Sequence, residues 1–214
     1  MTQPINIALV GASGVVGTKI MQLLEKKAFP INHFYPLGSS SVGQVVTLNG
    51  AEYSIEDTST FDASLADLTI ISAGSSVAES YAKDFVAAGS YVIDLSSHFR
   101  YEEDVPLIIP EINGTLVEAL ENPTLIANPN CSTSQLLMAL KPIHDELNIE
   151  FINIATYQAV SGTGKAAVEE LNNQTYFSES NHEPSVYAKP IAFNAIPQCD
   201  VFMDNNFTKE EMKL

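Results

Sequence analysis

Positive charge is scarce in this chain. Its 214 residues carry 10 Lys and Arg against 26 Asp and Glu, a formal net charge of −16, and Arg100 is the single arginine. Nucleic-acid binding draws on basic patches that neutralise phosphates, so this balance argues against it. The same acidity argues against docking on anionic membranes. An anionic substrate has few places to sit, and any cluster of positive charge stands out. Cysteine is nearly absent. Cys131 and Cys199 are the two present; they make no disulfide framework and point to a reducing compartment. No apolar run reaches the length needed to span a bilayer. The opening "MTQPINIALVGASG" has no basic leader, and glycines break its apolar run, so it does not read as a signal peptide. The expectation is a soluble, cytoplasmic protein without internal repeats or low-complexity segments.

What is present suits a sizeable core: 45% of the residues are hydrophobic, enough for one large domain or two small ones. Apolar runs bounded by turn residues predict strands over 5–10, 31–38, 68–74 and 91–96, with "TLIA" another at 124–127. Residues 45–57 alternate like a hairpin. Helix-period segments over 16–27 and 76–89 separate the strands. Strands alternating with helices imply right-handed βαβ units and an α/β fold with a doubly wound parallel, Rossmann-type sheet. The texture changes near residues 129–132. A long strand is expected over 149–160, a helix over 164–179 and loop over 178–200. We expect a dinucleotide-binding domain over 1–130 and part of an α+β catalytic and dimerisation domain over 131–214. Thr208 followed by Glu211 has capping-box spacing and predicts a helix start that is cut after about two turns, so the chain is expected to be truncated.

Four stretches carry candidate chemistry. "GASGVVG" sets Gly11, Gly14 and Gly17 between a strand and a helix in a variant of the dinucleotide fingerprint. The first glycine permits a tight turn, the second clears the phosphate approach, and the third lets helix pack on strand, with the helix N-terminus facing the pyrophosphate. Ser13, Val15 and Val16 share this candidate cofactor loop. A plain strand–helix turn is the competing account. The second strand ends in "FYPLGSSSVGQ", without the acid that an NAD site offers the ribose. Ser39, Ser40 and Ser41 can instead donate to a 2′-phosphate, which favours NADP; a serine-rich turn explains them equally well. "ISAGSS" places Ala73 and Gly74 at another strand end, where a ring or ribose can approach.

The fourth stretch is "NPNCST" at 128–133. It puts Cys131 between a strand end and a helix start, where unpaired N–H groups and the helix dipole favour the reactive thiolate. Asn130 beside it supplies an amide donor for an oxyanion. A thiolate beside a nicotinamide suggests attack on an acyl group followed by hydride delivery. The competing account is a buried filler cysteine.

"GASGVVG", "NPNCST", "TYQAVSGTGK" and "EEMKL" together resemble the aspartate-β-semialdehyde dehydrogenase family, from residue 5 to the last residue. The resemblance implies NADP-dependent reductive dephosphorylation of aspartyl 4-phosphate to aspartate 4-semialdehyde through a cysteine thioester, with release of inorganic phosphate. It implies a place in lysine, threonine and methionine biosynthesis, a homodimer, and no metal. Cys131 matches the nucleophile, Asn130 its neighbour, and Gln158 the residue that orients the substrate. Ser161 and Gly162 resemble a turn beside the cofactor. Arg100 matches a phosphate-site arginine; a surface pair with Glu102 or Glu103 is the alternative. Glu210 and Lys213 match a pair that meets the substrate amine and phosphate. The family's general-base histidine and second arginine lie in a later motif, so His33, His98, His144 and His182 receive no role. Two other functions compete: N-acetyl-glutamyl-phosphate reductase, whose usual cysteine motif differs from "NPNCST", and a non-catalytic nucleotide-binding or dimerisation module.

Overall fold

The structure, a computed structural model, describes residues 3–176 and 184–214. His182, the end of the expected 164–179 helix and the start of the expected 178–200 loop lie outside the described residues. The chain divides into two compact units, Met1–Lys141 and Pro142–Leu214.

The first unit is built on β1 (Ile5–Val10), α1 (Val15–Lys26), β2 (Ile31–Gly38), the antiparallel pair β3 (Val45–Leu48) and β4 (Ala51–Ser54), and β5 (Glu56–Asp57). Then come β6 (Leu68–Ile71), α2 (Ser75–Ala87), β7 (Tyr91–Asp94), the one-turn helices α3 (Pro110–Asn113) and α4 (Thr115–Glu118), β8 (Leu125–Ala127), and the start of α5 (Cys131–Leu147), whose residues from Pro142 on belong to the second unit. The main sheet runs β5-β2-β1-β6-β7-β8 with every pairing parallel.

Strand β1 shows why the sheet is wound on both sides. Ile7 and Leu9 pack with Met21 of α1, Phe34 and Ile70. Ala8 and Val10 point the other way, toward Ala78, Ala82 and Phe85 of α2. The period of two along the strand therefore feeds two cores, and all four residues are at most 1% exposed. Full burial of each large apolar side chain is worth roughly 1.5–3 kcal/mol. The chain leaves β1 toward β2 on one side and returns at β6 on the other. The order thus reverses at β1/β6, and a crevice opens beyond the strand C-termini there.

Among the described residues, the second unit contains α6 (Lys165–Tyr176) and the 3-10 turns Val160–Gly162 and Glu211–Lys213. Helix α6 holds residues 185–192 through two side chains. Glu170 Oε2 accepts from the backbone N–H groups of Ser185 (2.6 Å) and Val186 (2.7 Å) and from the Ser185 hydroxyl (2.9 Å). One helical turn on, Gln174 Oε1 accepts from Ile191 and Ala192 N–H.

Three expectations are corrected. Residues 149–160 form no strand. Among the described residues no segment pairs with them, and Phe151 and Tyr157 stand 81% and 98% exposed; an extended segment without a ladder partner is not a strand. The hairpin ends at Ser54. Ile55 is buried with Phe34 and Leu48, which draws the next two residues back to pair with Leu37 and Gly38 of β2. At Thr208 the capping box forms: Thr208 Oγ1 and N–H both donate to Glu211 Oε2, and Glu211 N–H donates to Thr208 Oγ1. The box opens a 3-10 turn and not an α-helix, closed by Lys213 N–H donating to the Glu210 carbonyl three residues back.

Candidate active site

The glycine loop opens the crevice. Gly11 has φ +83°, a conformation that disfavours side chains, and an added Cβ would lie 2.9 Å from the Ser72 carbonyl oxygen. A Cβ at Gly17 would meet the Gly11 carbonyl oxygen at 2.3 Å, so this glycine is what lets α1 start against the end of β1. Gly14 is the N-cap of α1, and no side chain caps the helix there. Gly74 stands likewise at the start of α2. Two helix N-termini with their backbone donors thus open from neighbouring strands, an arrangement suited to an anion.

Between them lies a cleft of about 250 Å³. Gly11, Ser13, Gly14, Ser39, Ser40, Ser41 and Ala73 all line it, so the structure gathers the three predicted segments into one place. Val15 and Val16 lie exposed in the first turn of α1, and Gly74 is not among the lining residues. Val10, Gly38, Thr58, Ser72, Val77 and Tyr81, none of them a site residue expected from the sequence, complete the wall. Ser72 had a signal, lying inside "ISAGSS". Its hydroxyl donates to the Val10 carbonyl at 2.9 Å and braces the turn. Thr58 had none, because it arrives through the unforeseen pairing of β5 with β2. Glycines without Cβ, donor-rich helix ends and hydroxyls at the β2 end form a donor set that fits a dinucleotide.

Beyond β8, Asn130 caps α5. Its Oδ1 accepts from the N–H groups of Ser132 (2.9 Å) and Thr133 (3.2 Å). With Oδ1 committed to the helix end, the amide's donor capacity rests on Nδ2. Cys131 is the first residue of the helix and is exposed, so it is no buried filler. Arg100 braces the approach. Its Nε donates to the Asn128 carbonyl at 2.9 Å and an Nη to the Leu95 carbonyl at 3.1 Å. It ties the turn after β7 to the turn that carries Cys131. Glu102, its alternative partner, is paired with Lys83.

The second unit assembles its own polar cluster. Gln158 Nε2 donates to Glu210 Oε1 at 3.1 Å. Lys213 Nζ donates to Glu210 Oε2 at 3.0 Å and to Asp200 Oδ2 at 2.9 Å. Glu210 is only 7% exposed, so this is not a solvated surface pair. Partial burial alone would lower the pKa of the Lys213 ammonium. Its hydrogen bonds and charge contacts with Asp200 and Glu210 outweigh that and hold it above its usual value. Burial pushes Asp200 up, and its bond to Lys213 with the Val201 N–H brings it below the usual carboxylate range. Ser161 and Gly162 lie exposed in the 3-10 turn before α6, outside this cluster's bonds. Cys199 and Asp200 were missed: nothing in the local pattern of "PQCD" marks them.

Residues 6–120 match the family model described as semialdehyde dehydrogenase, NAD binding domain, and residues 140–214 the one described as semialdehyde dehydrogenase, dimerisation domain. Across the whole chain, 44% identity links it to an aspartate-semialdehyde dehydrogenase of Vibrio mimicus, of which it covers 69%. The chain belongs to the aspartate-semialdehyde dehydrogenase family. A Shewanella sp. (strain DB6705) member is 49% identical over 217 residues, covering 100% of this chain and 64% of that relative. The chain therefore spans less than two thirds of the length of that dehydrogenase. A solved structure of aspartate semialdehyde dehydrogenase II from Vibrio cholerae, complexed with ASA, superposes with a TM-score of 0.94 at 43% identity, over 99% of this chain and 64% of that one. Among the described residues, no helix of this family member is long and apolar enough to cross a membrane.

Proposed function

We propose that this chain carries the residues for reductive dephosphorylation of aspartyl 4-phosphate to aspartate 4-semialdehyde through a thioester on Cys131. The observation that carries the proposal is Cys131 standing exposed as the first residue of α5, directly after the asparagine that caps it. Its sulfur attacks the acyl carbon, a C–S bond forms, and the C–O bond to phosphate breaks, releasing inorganic phosphate. Asn130 Nδ2 donates to the oxyanion of the tetrahedral state. Gln158 orients the acyl group, Glu210 meets the substrate amine, and Arg100 and Lys213 meet phosphate oxygens. The domain boundary proposed falls at 130–131, with a dinucleotide-binding domain before it and a catalytic and dimerisation domain opening at Cys131.

The cofactor proposed is NADP, held by the Gly11–Gly17 turn with Ser13, Val15 and Val16, by Ala73 and Gly74, and by Ser161 and Gly162. When bound, it supplies the hydride exchange between thioester and aldehyde. Ser39, Ser40 and Ser41 donate to the 2′-phosphate. The lining of the cleft by all three serines supports this preference over NAD.

The test runs the reaction backward: aspartate semialdehyde, inorganic phosphate and NADP are mixed with the chain, and reduced nicotinamide is followed by absorbance. Turnover abolished by Cys131→Ala supports the proposal. NADP binding without turnover selects the non-catalytic module instead. The match of residues 140–214 to a dimerisation domain supports a homodimer. Sedimentation equilibrium is expected to give twice the chain mass, and monomer alone removes that part.

A further inference from the structure

Gln158 is held at both ends of its amide. Nε2 donates to Glu210 Oε1 at 3.1 Å, and Oε1 accepts from the Cys199 thiol, also at 3.1 Å. The amide cannot be turned over without loss. Glu210 Oε2 is paired with the Lys213 ammonium, and a carboxylate only accepts, so the flipped amide would set oxygen against oxygen. The two contacts therefore agree on one orientation, and the thiol is the donor that reads the carbonyl side.

The next residue secures the other half of the cluster. Asp200 holds φ +67°, which turns the chain sharply. Its Oδ2 takes Lys213 Nζ at 2.9 Å while its Oδ1 accepts the Val201 N–H at 2.8 Å. Its backbone carbonyl accepts from Gln198 Nε2 at 3.0 Å. Residues 198–201 thus reach Gln158 through Cys199, and Lys213 through Asp200. Glu210 lies between, bonded to both Gln158 and Lys213. The bonds run in one sense from thiol to amide to carboxylate, so each polarises the next.

We propose that Cys199 is a positioning residue, setting the orientation of the Gln158 amide by donating its thiol proton to Oε1. This rests on the substrate role proposed above for Gln158. The thiol touches Gln158 and acts through it. Its neighbour Asp200 fixes the sulfur's place by anchoring the turn on Lys213.

The test compares wild type, Cys199→Ser and Cys199→Ala with two readouts. In ¹⁵N-labelled chain, the side-chain amide resonances of Gln158, assigned with Gln158→Glu, are expected to shift in Cys199→Ala and to stay near wild type in Cys199→Ser. In the turnover assay, Cys199→Ala is expected to lower kcat by about two- to tenfold, the scale of one modest hydrogen bond, with a smaller change in KM. Cys199→Ser, which keeps a donor, recovers most of that loss. Thermal unfolding separates these effects from a general loss of fold. Unmoved Gln158 resonances in Cys199→Ala, or Cys199→Ser behaving like Cys199→Ala, overturn the positioning role while the proposed activity stands. Amide shifts in Cys199→Ala beside a wild-type chain without turnover overturn the proposed activity, and with it the catalytic consequence of the positioning.

Discussion

One added carbon at Gly17 would press on the Gly11 carbonyl oxygen at 2.3 Å, where backbone and not a flexible side chain must yield. Gly17→Ala is therefore expected to cost roughly 1–3 kcal/mol, as other over-packing changes do, measured by urea unfolding. Gly74→Ala is the control, because a Cβ there meets nothing within 4 Å; its stability is expected to stay within about 0.5 kcal/mol of wild type. Asn130→Ala removes the acceptor of two N–H groups at the start of α5 and is expected to cost about 0.5–2 kcal/mol. Gly17 is legible in the sequence because its signal is local, the spacing of a strand–helix turn; the cap at Asn130 is not. Asn130 was expected to donate, and its oxygen proves to be spent on the helix. Cys199 and Asp200 were illegible because their partners, Gln158 and Lys213, are distant in sequence.

At the level of elements, the strand and helix alternation of the first unit came from its apolar periodicity, because a parallel sheet buried on both faces writes nearly continuous apolar strands. The boundaries of β1 and β2 match the expected ones residue for residue. β5 was lost in the hairpin because two residues carry no period. The 149–160 segment has a strand's β-branched and aromatic composition, but a strand is a property of two segments. Helix α6 offers a pH test. Burial pushes the Glu170 carboxyl up, yet the N–H groups of Val186 and Ser185, the Ser185 hydroxyl and the Tyr187 N–H together bring it below its usual value. The folded state therefore favours the ionised form. Its contribution to stability is complete above the ordinary glutamate range and is lost as pH falls through the lowered folded-state value. Glu170→Gln is expected to flatten that acid limb in urea unfolding followed against pH. At neutral pH it is expected to lower stability by roughly 1–3 kcal/mol, because an amide replaces the carboxylate that accepts from those donors.

For the whole molecule, the fold class was legible because a topological switch at β1/β6 is written in the order of strands and helices. The candidate cofactor cleft came with it, since loops at strand ends are gathered by the topology alone. The cluster proposed for the substrate is signalled only through the family motifs; the periodicity of "TYQAVSGTGK" and "EEMKL" says nothing of Gln158 meeting Glu210. Cys131 as the nucleophile is the central claim, and competitive alkylation tests it most directly. The chain is treated with limiting iodoacetamide, with and without aspartyl phosphate, and the rates at Cys131 and Cys199 are read by peptide mass spectrometry. The prediction is that Cys131 is labelled faster than Cys199 and that aspartyl phosphate protects it. Equal rates at the two cysteines, with no protection, would contradict the nucleophilic role.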